Sequence, residues 1–266
     1  MAGDDYFSRP RPRLFGHRGA AGVAPENTLA SFERAIRDGA GYLELDVHAT
    51  RDGVVVVIHD PTLERTTDGA GAVRDLSFRE LGEYDAGFRF AADGGFPFRG
   101  RAVRVPALEE LLDAFPTIPL NIEIKQHEPA IESGVVALLE RKGALARTML
   151  AAESDAIMAR IRAVAPQAAT SAAYGEGRDF FERCFAERFD GYAPVARALQ
   201  IPVCVGEVEL VTEASVAAAH RFGLEMHVWT VNDAAEMGRL LDLGVDGVMS
   251  DFPQRLVAVE RHRTGR

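Results

Sequence analysis

Residues Tyr42–Asp60 read YLELDVHATRDGVVVVIHD, and the fold is decided by that stretch. It opens as a strand, turns at Asp52-Gly53, runs through four valines and an isoleucine, and ends on His59-Asp60. Side chains alternate across a strand, so Glu44 and Asp46 share one face while Leu43, Leu45 and Val47 share the other. Apolar flanks of this kind mark a strand buried on both faces, as in a parallel sheet. Two carboxylates on such a strand repel each other and resist leaving water. A divalent cation that prefers oxygen ligands removes that cost. The pair is therefore read as part of a metal site, against the plainer alternative of a solvated strand face.

Outward from this stretch the chain alternates strand with helix. Leu14-Phe15-Gly16 leads into His17-Arg18-Gly19, and Asn27 or Thr28 can cap a helix carrying Leu29, Phe32 and Ile36. Residues 61–105 break the rhythm: they are rich in Gly, Asp, Arg and Phe, with one short helix-like piece near Ser77–Leu81. They are read as an insertion that caps a binding site. Alternation then resumes, with strands expected at Pro119–Lys125, Thr148–Ala152, Ala168–Tyr174, within 191–205, at Leu224–Val231 and at Val245–Ser250. Helices are expected between them, including one over 178–189, and Pro253 opens the last. About eight strand–helix pairs in 266 residues fit a single (β/α)₈ barrel domain spanning 1–266. A doubly wound open sheet is the alternative, but no Gly-rich dinucleotide loop supports it.

A composition that is 47% hydrophobic supplies a large core, and a net charge of −10 argues against nucleic acid or an anionic membrane as partner. No 18-residue apolar run is present, and the N-terminal MAGDDYFSRPRPRLFG lacks one too, so neither a membrane span nor a secretory signal is expected. Cys184 and Cys204 form no metal or redox spacing and suit reduced thiols in a cytoplasmic protein. Nothing argues for or against a homo-oligomer.

In such a barrel, chemistry sits where the strands end. His17 and Arg18 close the first strand, and His59 ends the hairpin after the second. Asn121, Glu123 and Lys125 share a face of the third, Glu225, His227 and Trp229 a face of the seventh, and Asp251 ends the eighth. Glu44, Asp46 and Glu123 suit Mg²⁺ or Ca²⁺ better than zinc. Arg18 and Lys125 supply positive charge for a phosphoryl group. His17 and His59 are left to act as general acid and base. The set suits cleavage of a phosphodiester. Asp251 reads as a cap for the helix opened by Pro253, His48 and His227 stand apart from the set, and His127, His220 and His262 read as surface residues.

HRG at 17–19, PENT at 25–28, ELD at 44–46, HD at 59–60, EIK at 123–125, WTVN at 229–232 and GVDGVMSDFP at 244–253 occur in this order. Together they resemble the glycerophosphodiester phosphodiesterase family over about residues 13–257. The resemblance implies a (β/α)₈ barrel with a small inserted subdomain after the second strand. It also implies a phosphoric diester hydrolase of lipid and glycerol metabolism, which takes small glycerophosphodiesters to glycerol 3-phosphate and an alcohol. By it, Glu44, Asp46 and Glu123 would be metal ligands and His17 and His59 the acid–base pair. Arg18 and Lys125 would bind phosphate, Trp229 would line the substrate pocket, and Glu26 and Asn27 would support the site. It further suggests that the glycerol hydroxyl beside the phosphoester is the nucleophile, giving a cyclic phosphate that water opens. A lysophospholipase D-type activity on the same barrel is the alternative. A phosphate-binding isomerase would leave the carboxylates and histidines idle, and a binding module without activity should have lost one of them.

Overall fold

The computed structural model describes residues 5–92 and 94–265; Met1–Asp4 at the N-terminus, Asp93 within the insertion and Arg266 lie outside it. The strands in chain order are β1 (Arg13–Gly16), β2 (Tyr42–Ala49), β3 (Val55–Val57), β4 (Leu120–Ile124), β5 (Thr148–Ala151), β6 (Ala169–Thr170), β7 (Ala198–Ile201), β8 (Cys204–Val205), β9 (Val208–Glu209), β10 (Glu225–Val228) and β11 (Gly247–Ser250). Eight of them run parallel in the order β6-β5-β4-β2-β1-β11-β10-β7. A parallel bridge from Ser171 to Ala198 joins the two ends, with Ala172 N donating to Ala198 O at 2.8 Å. The sheet thus closes into the expected barrel.

The helices are α1 (Leu29–Arg37), α2 (Phe78–Leu81), α3 (Leu108–Ala114), α4 (Glu132–Arg141), α5 (Asp155–Val164), α6 (Tyr174–Phe185), α7 (Glu213–Arg221), α8 (Ala234–Asp242) and α9 (Pro253–Thr264). All but α2 follow a barrel strand. Polar side chains start several of them: Thr28, Ser154, Thr212 and Asp233 each accept a backbone N–H of the first turn. Helix α6 begins four residues before the expected 178. Its Gly175 and Gly177 weaken the helical signal, but Glu176 reaches back to Ala173 N at 2.9 Å and starts the helix there.

The core has two layers. Outward-facing residues such as Leu43, Leu45, Val47, Ile122 and Ile124 pack against the helices. Inside the barrel lie Phe15, Tyr42, Met149, Ala198 and Met249, closed below by Tyr6. At that lower, N-terminal end Arg13 is buried, and its Nε and Nη2 donate to Glu225 at 2.6 and 2.7 Å. It also donates to the Tyr42 hydroxyl, which in turn donates to Tyr6 O at 2.9 Å.

The valine run after Gly53 lies outside the parallel order: β3 pairs antiparallel with β2 and, by a bridge at Val56, with Ala107. The segment from there to α3 holds a 3₁₀ turn at Val73–Asp75 and α2, whose Ser77 and Glu80 form a capping box. Val56 and Ile58 cover Leu63, Val73, Leu81, Ala86 and Val105, a small core of its own.

Candidate active site

Strand register builds the acidic cluster. In the β2–β4 ladder Asp46 stands opposite Glu123, two residues beyond the Glu44–Asn121 pair. Alternation sends Glu44, Asp46 and Glu123 to the interior face, where one carboxylate oxygen from each lies within 4.8 Å of the others. Glu44 and Asp46 are buried and Glu123 is half-buried. Burial, with Asp46 close by, pushes the Glu44 carboxyl up, and burial also raises Glu123. Asp46 is driven up by burial too, but Lys125 and Arg18 outweigh it and hold the group below the usual range. Three close oxygens of this kind, carrying charge that burial opposes, form a donor set that fits a hard divalent cation.

Two cations flank the cluster. Lys125 Nζ lies 2.7 Å from Glu123 and 3.5 Å from Asp46. Arg18 gives its backbone N–H to Glu44 at 2.9 Å and a guanidinium N–H to Glu26 at 3.0 Å. Its Nε, 3.4 Å from Asp46, is buried without a hydrogen-bond partner. The turn that presents it is tight: a Cβ on Gly16 would sit 2.5 Å from Gly19 O, and Gly19 itself is left-handed against Ser31. Arg18 and Asn27 also take left-handed conformations, uncommon for residues with side chains and concentrated at sites where the surroundings enforce them. Asn27 uses its geometry to donate to Asp46 at 2.9 Å, while Thr28 caps α1, so the capping question resolves in favour of Thr28.

Each histidine is held by a carboxylate. His17 donates from Nδ1 to Asp251 at 2.7 Å and turns Nε2 toward Glu44, 3.8 Å away. Burial disfavours its charged form, but Asp251 and Glu44 prevail and raise its pKa. Asp251 is fixed in turn by Asn232, which donates at 2.7 Å. This corrects the reading of Asp251 as a helix cap: Phe252 precedes α9 and makes no side-chain cap. His59 donates from Nδ1 to Asp60 at 2.6 Å. Arg65, from the segment after β3, ties Asp60 at 2.6 Å to Glu26 at 2.7 Å. Against expectation His48 takes part, donating from Nε2 to the His59 carbonyl at 3.1 Å.

The shared polar faces do not all reach this rim. In the barrel interior Gln200 Nε2 donates to Asn121 and to His227 Nδ1, and Glu225 lies at the opposite end with Arg13. Trp229, just past β10, is exposed, and its neighbour Thr230 is 3.5 Å from His17. The sequence reading missed Asp60, Arg65, Asn232 and Asp251 as partners, although HD, WTVN and SDFP contain three of them.

The fold is a (β/α)₈ barrel, with a cluster of carboxylates, cations and histidines gathered at one rim. The chain belongs to the glycerophosphoryl diester phosphodiesterase family, whose model matches residues 17–255. A glycerophosphodiester phosphodiesterase of Bacillus altitudinis is 32% identical over 256 residues, covering 93% of this chain and 97% of that protein. A glycerophosphoryl diester phosphodiesterase domain from Mycobacterium tuberculosis superposes with a TM-score of 0.84 at 25% identity, over 95% of this chain and 100% of the other. An Oleispira antarctica phosphodiesterase, solved with the product sn-glycerol-3-phosphate, gives 0.75 at 26% identity over 94% and 97%.

Proposed function

We propose that this chain hydrolyses glycerophosphodiesters to glycerol 3-phosphate and an alcohol. The observation that carries the reading is the buried carboxylate trio flanked by Arg18 and Lys125. Glu44, Asp46 and Glu123 would hold Mg²⁺ or Ca²⁺, which when bound offsets charge on the nonbridging phosphoryl oxygens. Arg18 brings an unpartnered buried Nε, and Lys125 a charge kept by its carboxylate neighbours despite burial; both suit a phosphoryl group. His17 and His59 each have Nδ1 engaged by a carboxylate, which fixes the tautomer and leaves Nε2 to move a proton. One imidazole takes the proton of the attacking hydroxyl and the other gives a proton to the leaving alcohol. The vicinal hydroxyl of glycerol is the favoured nucleophile, because an internal group has a high effective molarity. Its attack expels the alcohol and leaves a cyclic phosphate, which water then opens to glycerol 3-phosphate. Trp229 lines the entrance, Glu26 and Asn27 hold Arg18 and Asp46, and residues 61–105 cap the mouth.

No helix among the described residues is long and apolar enough to cross a membrane, and both cysteines are free. These fit a cytoplasmic enzyme acting on water-soluble diesters. The test is a panel of glycerophosphodiesters, lysophospholipids and bis-p-nitrophenyl phosphate, assayed after chelation and again with Mg²⁺ or Ca²⁺. Turnover of the glycerophosphodiesters should vanish with the metal and return with it. Full activity after verified metal removal would sink the metal reading, and preference for the lysophospholipids would favour the lysophospholipase D-type alternative.

A further inference from the structure

A cavity of about 560 Å³ opens from the site beside Glu123 and Lys125, between the ends of β4 and β5 and the start of α6. Glu153, Asp155, Tyr174 and His127 line it as well. Tyr174 is 63% exposed, unusual for a large ring, yet its backbone is pinned. Its N–H donates to Glu153 O at 2.9 Å, and the next N–H, of Gly175, donates to the Asp155 carboxylate at 3.0 Å. A Cβ on Gly175 would lie 2.9 Å from that carboxylate, so the close approach depends on glycine. Asp155 thereby holds the backbone next to Tyr174. Glu153 lines the same cavity and forms no ion pair among the described residues, whereas Glu123 already has Lys125.

An aromatic face beside an unneutralised carboxylate attracts an organic cation, and a quaternary ammonium most of all, since it is large, weakly hydrated and cannot be deprotonated. From these observations and the phosphodiesterase reading, on which the inference rests, we infer that this cavity receives the alcohol end of the substrate and favours a cationic one, of the choline or ethanolamine type. Lys125 marks the junction: a phosphoryl group beside it can extend its ester into the cavity. Tyr174 and Glu153 are then specificity-determining residues contributed by a part of the chain outside the family motifs.

The experiment compares kcat/KM for glycerophosphocholine and glycerophosphoglycerol in the metal-loaded protein and in Tyr174→Ala, Tyr174→Phe and Glu153→Gln. The wild type should prefer the choline ester, and that preference should fall about 3- to 10-fold in Tyr174→Ala and in Glu153→Gln, the scale of one exposed cation–π or ionic contact. Tyr174→Phe keeps a ring and should keep the preference. Tetramethylammonium binding, followed by NMR line shifts, should weaken in Tyr174→Ala without reference to turnover. Equal losses for both diesters, or no preference in the wild type, would overturn the inference while leaving the phosphodiesterase reading intact. Failure of the metal-loaded wild type to cleave any diester would overturn that reading instead, and the substrate assignment with it.

Discussion

At the scale of single residues the site is a set of held groups: His17 by Asp251, His59 by Asp60, Asp46 by Asn27, Asp251 by Asn232. On the proposed mechanism Asp251 would act as a positioning residue, keeping His17 Nδ1 protonated and Nε2 toward the cluster. Asp251→Asn should lower kcat by about 10²-fold or more, the scale of one misaligned acid or base, with KM nearly unchanged. In a His17→Ala background the same change should cost almost nothing further, because the two act as a unit. Independent, multiplying losses in steady-state kinetics would show that Asp251 serves only the fold. Alternation along β2 makes Glu44 and Asp46 legible from the sequence alone, and a single motif delivers Glu123. The Asp251 contact is not legible there. It depends on β1 lying beside β11, so that Gly16 pairs with Ser250, a juxtaposition no local spacing encodes.

Among the elements, the segment between β3 and α3 reaches the candidate site through Arg65. Its apolar residues rest on β3, while Arg65 bridges Asp60 and Glu26. Burial pushes the Asp60 carboxyl up, but Arg65 and His59 outweigh it and bring it down to about 2. Arg65 is itself 46% exposed, so the bridge adds little to stability, on the order of 1 kcal/mol or less. Arg65→Ala is therefore expected to reduce kcat/KM roughly 10-fold by loosening His59, on the low side of the loss for removing an acid or base outright, and to leave the melting temperature within about 3 °C. A large drop in melting temperature with intact kinetics would mean that the segment is bound to the barrel as core and does not serve the site. The broken strand–helix rhythm of residues 61–105 is legible, since such a rhythm is a property of whole segments, and the segment holds only a 3₁₀ turn and α2. The hairpin of β8 and β9 leaves no such trace, as strands of two residues carry no periodicity.

Across the whole molecule, the barrel carries charge at both ends and treats it in opposite ways. At the upper end carboxylates are crowded and partly uncompensated, which suits binding. At the lower end Arg13 and Glu225 are matched to each other, which suits stability. Burial pushes Glu225 up, but the hydrogen bonds from Arg13 and His227 prevail and hold it at about 2, while the same pairing raises Arg13 despite its burial. For a carboxylate whose folded pKa lies below its unfolded value near 4.5, the stabilisation is complete above about pH 4.5 and is lost as pH falls through 2. The shift corresponds to about 3 kcal/mol at neutral pH, since each pKa unit is worth about 1.36 kcal/mol. Glu225→Gln should lose on the order of that amount at pH 7, and more because Arg13 is left buried without its counter-charge. Urea unfolding from pH 7 down to 3 should show the gap between the two proteins narrowing below pH 4.5, as the wild type loses the contribution the variant never had. A gap that stays constant over that range would show that the two proteins differ only in packing around Arg13, and that the ion pair makes no pH-dependent contribution to holding the base of the barrel together.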